Sequence, residues 1–82
     1  MFRAEIFITL KSKVLDPQGK QVEEALHSLG YEEVKEVRVG KYIVLKVEEK
    51  KGKIEERLRE MCEKLLANPV IEDYTYRIEK LP

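Results

Sequence analysis

Residues 2–11, FRAEIFITLK, alternate with a period of two: Phe2, Ala4, Ile6, Ile8 and Leu10 share one face, while Arg3, Glu5, Thr9 and Lys11 take the other. Only a pleated strand puts every second side chain on one side, so the chain must build a sheet and cover one of its faces. Phe7 breaks the pattern by placing a large ring among the polar residues. With 82 residues in total, the chain has volume for one core and is expected to be a single domain, 1–82. A domain of this size buries only about 60% of its unfolded surface, and association with other chains often supplies the missing stability.

The period changes after Gly19. Val22, Ala25, Leu26 and Leu29 fall at i, i+3, i+4 and i+7, one stripe of a helix, and Gly30 supplies the left-handed residue that ends it. Two β-branched runs, EVKEVRV (33–39) and YIVLKVE (42–48), flank Gly40-Lys41, which suits a type II′ hairpin. That register pairs Val39 with Tyr42 and Val37 with Val44 on one face, and gives Val34, Ile43, Leu45 and Val47 to the other. Both faces of such a hairpin are apolar, so one lies under the helices and the other needs a second cover.

Residues 51–68 read as a second helix with an apolar stripe of Ile54, Leu58, Met61, Cys62, Leu65 and Leu66, supported by the i, i+4 pairs Glu55–Arg59 and Glu60–Lys64. Asn68-Pro69 stops it, and VIEDYTYRIE closes the chain as a strand with Tyr74, Tyr76 and Ile78 on one side. The order β-α-β-β-α-β implies an α+β fold, ferredoxin-like or a close relative, with helices on one face of an antiparallel sheet and a dimer formed through the sheet.

Little in this chain suits chemistry. Its single histidine, His27, flanks the core stripe of the first helix and has no serine or cysteine placed to partner it. Cys62, the only cysteine, sits within an apolar stripe, where a thiol behaves as a small hydrophobe. One histidine and one cysteine build no metal centre, and no glycine-rich phosphate loop is present. Sixteen basic residues balance sixteen acidic ones, which disfavours nucleic acid as a partner. The N-terminal alternation leaves no continuous apolar run for a signal peptide, and nothing reaches the roughly 18 apolar residues of a membrane span, so the expected location is the cytoplasm. The residues alone therefore describe a small, non-catalytic α+β module, with an apolar sheet face of Phe7, Val37, Val39, Tyr42 and Val44 as its expected self-association surface.

Three stretches carry a family resemblance: LKSKVLDPQGKQVEEALHSLGY (10–31), VRVGKY (37–42) and MCEKLLANPVIEDY (61–74). Together, in this order and over nearly the whole chain, they resemble the PurS small subunits of phosphoribosylformylglycinamidine synthase. The resemblance implies a role in purine biosynthesis, in the step that converts formylglycinamide ribonucleotide to its amidine with ATP and glutamine. It further implies a homodimer without catalytic residues or a cofactor of its own, acting in a carbon–nitrogen ligase. The small subunit would bridge a glutaminase subunit and a synthetase subunit, the latter using ATP and magnesium, and would support ammonia transfer between them. The runner-up from another class is a small-molecule-binding regulatory module of the ferredoxin-like, ACT type. A free-standing RNA-binding protein and an independent enzyme come after it.

The segment VLDPQG (14–19) admits two local readings: Asp16 caps a helix that starts at Pro17, or Asp16 to Gly19 form a type I turn before it. Either way it can be no more than a well-made strand-to-helix connection. With the resemblance, Lys11, Lys13, Asp16, Pro17, Gln18 and Gly19 are expected to form a rigid contact loop for a larger subunit. Asn68, Pro69 and Glu72 are a second candidate loop. Arg38 and Lys41 either meet a partner carboxylate or remain solvated charges.

Overall fold

The alternating N-terminal segment is the middle of the sheet. A computed structural model describes residues 1–48 and 53–82 and orders them as β1 (Phe2–Leu10), α1 (Pro17–Ser28), β2 (Lys41–Val47), α2 (Ile54–Met61) and β3 (Glu72–Lys80). Both neighbours run antiparallel to β1, giving the order β2-β1-β3. The register places Ile6 opposite Ile43 and Tyr76, and Ala4 opposite Leu45 and Ile78. Those residues line one face. Phe7, Tyr42 and Val44 lie on the other, in phase with Glu5 and Arg77.

The core sits between the first face and α2. Ala4, Ile6 and Ile8 meet Leu58, Cys62 and Ala67, with Ile43, Leu45, Tyr74, Tyr76 and Ile78 packed around them. Cys62 is fully buried and unpaired, and burial raises its thiol above the ordinary value, as a structural cysteine requires. The α+β class follows from this layering. The expected second helix begins at 51, but residues 51 and 52 lie outside the described residues; its remainder starts at Ile54.

Two features depart from the sequence expectation. Residues 33–39 form no strand, so the sheet has three strands among the described residues and the Val39–Tyr42 hairpin register does not occur. Glu36 interrupts the run with φ 54°, a left-handed conformation that a pleated strand does not contain. Gly40 has no positive φ; it is a glycine because a Cβ there would stand 2.4 Å from the Ile8 carbonyl oxygen. The second departure lies after Met61, where the helix widens into a π-helical turn, Cys62–Leu66, closed by Ala67 N–H donating to Cys62 O at 2.8 Å. The wider turn carries Ala67 into the core and turns Leu65 out of the expected stripe to 83% exposure.

Leu58 is fully buried where α2 meets β1. Leu58→Ala is expected to lower unfolding free energy by about 2–5 kcal/mol, because the removed methyl groups leave a void that the sheet cannot close. Urea titration followed by far-ultraviolet circular dichroism measures it.

Candidate interaction site

The connection from β1 to α1 is fixed by one carboxylate. Asp16 is the N-cap of α1 in extended conformation, with Pro17 as the first helical residue, so the capped-helix reading holds over the separate turn. Asp16 Oδ1 accepts the Gly19 N–H at 2.9 Å, and Oδ2 accepts the Val39 N–H at 2.9 Å from across the fold. Backbone hydrogen bonds from Gly19 and then Val39 hold this carboxyl below its ordinary value of 3.8. Arg38 completes the clasp, donating from its two terminal nitrogens to Val14 O at 2.6 Å and Ser12 O at 2.7 Å. Arg38 thus secures the loop instead of standing free for a partner carboxylate.

The same clasp explains the loss of the expected strand. Val37 and Val39 do not join Phe7 on the sheet face; their segment lies against the start of α1, with the Val39 N–H spent on Asp16. Gly19 is buried there, and a Cβ on it would approach Val37 O to 2.2 Å. The other end of α1 closes in a Schellman arrangement, Tyr31 N–H to Leu26 O at 2.9 Å and Gly30 N–H to His27 O at 3.0 Å, with Gly30 at φ 102°. His27 donates from Nε2 to Val34 O at 2.8 Å. It is a tether, not a base.

The second candidate loop reaches the same end of the sheet. Asn68 O accepts from Ile71 and Glu72 N–H, Asn68 Oδ1 accepts from Val70 N–H, and the Asn68 N–H donates to Glu72 Oε1 at 2.7 Å. Pro69 lies within this turn. Glu72 also pairs with Lys41 at 3.6 Å, and Lys11 pairs with Asp73 at 2.9 Å while its N–H donates to Ile71 O. Lys11, Asp16, Pro17, Gln18, Gly19, Arg38, Lys41, Asn68, Pro69 and Glu72 therefore gather where β1 ends and β3 begins, with Lys13 exposed on the same loop. Sequence reasoning missed Ser12, Val14 and Val39, which act through backbone groups and carry no local signal.

A second surface lies on the open face of the sheet. The Phe7 and Tyr42 rings stack tilted with centroids 5.2 Å apart, and Val44 lies exposed beside them. The Tyr42 hydroxyl donates to Glu5 Oε2 at 2.5 Å; this bond, helped by Arg3 at 3.0 Å, lowers the Glu5 carboxyl. Among the described residues no group of three His, Cys, Asp or Glu gathers as a metal site, and no helix is long and apolar enough to cross a membrane. What remains at both surfaces is chemistry for holding another protein.

A family model for PurS, phosphoribosylformylglycinamidine (FGAM) synthase, matches residues 3–80. This chain belongs to the PurS family. The phosphoribosylformylglycinamidine synthase subunit PurS of Bacillus subtilis is 49% identical over 81 residues, covering 99% of this chain and 96% of the relative. A crystal structure of Bacillus subtilis PurS superposes with a TM-score of 0.91 at 50% identity, covering 98% of this chain and all of that one. A chain of the PurLQS structure from Thermotoga maritima gives 0.82 at 40% identity, covering 95% and 96%. Likeness of this extent, in sequence and fold together, makes the chain a PurS-type subunit of FGAM synthase and sets the regulatory-module reading aside.

Two outcomes test the clasp. Asp16 ionises more readily folded than unfolded, so its contribution to stability is full above pH 3.8 and is lost as pH falls through the lowered value. The stability difference between wild type and Asp16→Asn, from urea titrations between pH 2 and 7, should therefore be constant near neutrality and shrink only in acid. Gly19→Ala would add about 1 kcal/mol of helix propensity at an open site. Here the collision with Val37 O dominates, and a net loss of about 1–3 kcal/mol is expected in the same assay. For that reason substitution of Gly19 cannot serve as a silent probe of the surface.

Proposed function

We propose that this PurS-family chain is the non-catalytic small subunit that joins the glutaminase and synthetase subunits of FGAM synthase, a carbon–nitrogen ligase with glutamine as amido donor. The observation that carries the reading is the two-loop end of the sheet: about ten candidate contact residues, none suited to acid–base or nucleophilic work, braced by hydrogen bonds within the chain. A surface so stiffened loses little conformational freedom on docking, which favours a permanent structural contact. ATP and magnesium belong to the synthetase subunit in this reading, and this chain holds no cofactor. Its place is the cytoplasm, where purine precursors are made. By positioning two larger subunits against each other it supports passage of ammonia from one to the other.

The chain also pairs with a second copy in this reading. Phe7, Tyr42 and Val44 form an apolar patch on the uncovered sheet face, rimmed by the Glu5, Arg3 and Arg77 charges. Such a patch excludes water best against its own two-fold mate.

The test is reconstitution with both larger subunits, read by light scattering after size exclusion and by glutamine-dependent FGAM synthesis. Wild-type chain should enter a three-component complex and raise synthesis. Lys13→Glu combined with Gln18→Arg alters only exposed positions of the contact loop and should weaken entry while the isolated chain stays folded. Glu79→Lys, near the opposite end of the sheet beside the Phe2–Lys80 pair, should leave entry unchanged. Equal entry by the loop variant would remove this loop from the interface.

A further inference from the structure

The chain is far from spherical. Its radius of gyration is 16.4 Å and its extents are 52 × 30 × 14 Å, whereas a compact chain of this length has a radius of about 12 Å. The excess comes from residues 12–39. The core contains side chains from all three strands and from α2, and none from α1 or the segment after it. Instead α1 packs its Gly19, Leu26 and His27 side against its own following segment, so that the two form an arm beyond the sheet.

The arm leaves an apolar stripe without cover. Val22 is 42% exposed, Leu29 is 73% exposed and Ala25 lies open between them. The body has the complementary defect. Leu45, Met61, Leu65 and Leu66 line an apolar groove of about 330 Å³ between β2 and the helix, open because the π-helical turn swings Leu65 outward. Arg57 and Lys64 outnumber Glu60 on the groove rim, while Glu23 and Glu24 flank the stripe of α1.

We propose that α1 of one copy lies in the Leu45–Leu65–Leu66 groove of a second copy, in a reciprocal exchange of arms. A two-fold axis makes the exchange self-complementary: each copy gives one stripe and receives one, and both defects close together. The acidic flank of the helix meets the basic rim of the groove. In a ferredoxin-like layer a chain's own first helix would cover this half of the sheet; here the clasp at Asp16 and Arg38 holds that helix away, and the second copy supplies it. The contact goes beyond the open-face pairing proposed above and stands whether or not that pairing forms.

Mixed single-cysteine chains test it. Ala25→Cys in one chain and Leu65→Cys in another, differing in tag length, are combined and oxidised with a copper–phenanthroline catalyst. Both positions are exposed, and the native Cys62 is buried out of reach. A disulfide joining the two different chains is the expected product, unchanged when Val44→Glu is added to break the open sheet face and lost when Val22→Glu is added to the first chain. Only same-chain-type products, no covalent product, or a cross-link indifferent to Val22→Glu would overturn the exchange. No larger subunit enters the assay, so failure of the bridging function and failure of the arm exchange are separately visible.

Discussion

Everything beyond the sheet depends on where the Asp16 carboxylate sends its two oxygens. One holds the first turn of α1 through Gly19 N–H, and the other reaches across the fold to Val39 N–H. A carboxylate satisfied by two backbone donors is among the firmer contacts a loop can make, since charge assistance strengthens each hydrogen bond. Arg38 adds a reverse grip on Ser12 and Val14 carbonyls, so the two segments are tied in both directions. Gly19 and Gly40 permit the close backbone approach that the ties require. The cost is a strand: a backbone whose N–H is spent on a side chain cannot also pair in a ladder.

That exchange divides the molecule into a small sheet-and-helix body and an arm. The body has few fully buried residues, and its largest are Ile6, Ile8, Leu58 and Cys62. At roughly 1.5–3 kcal/mol for each large aliphatic side chain, such a core offsets only a modest part of the ordering entropy of 82 residues. The unburied apolar groups, Phe7, Tyr42 and Val44 on one face and Val22, Leu29 and Leu65 elsewhere, are the remaining capital of hydrophobic stabilisation. A subunit can leave them outside its own core because assembly places them against other chains.

Legibility in the sequence followed the range of the forces involved. The alternation of β1, the tyrosine-bearing face of β3, the Asp16 cap and the Gly30 stop depend on neighbours within one turn or one pleat, and all are read directly. Residues 33–39 have the β-branched content of a strand, but β propensity measures fit to a pleated surface and does not say which donors are already taken. The ties that decide their fate span 23 to 26 residues and end on backbone atoms, which every residue carries alike. Leu65 shows the same limit on a smaller scale. A stripe drawn at 3.6 residues per turn includes it, and a single π-helical turn removes it. The two candidate loops were each legible, but their meeting at one end of the sheet depends on the register of β1 with β3.

Function is legible for a different reason. Folds of this class serve many tasks, so the layer arrangement alone assigns none. The assignment comes from likeness running through 3–80, which includes the clasp as well as the core. Those residues bring no reacting group, yet they hold two loops in register at a cost in strand pairing that a mere spacer would have no reason to bear. A bridging subunit does have one: two larger proteins can be set at a fixed distance only by a surface that is itself fixed before they arrive. Rigidity built from Asp16, Arg38 and Asn68 is therefore the property on which the proposed function draws, in the place a catalytic residue occupies in an enzyme.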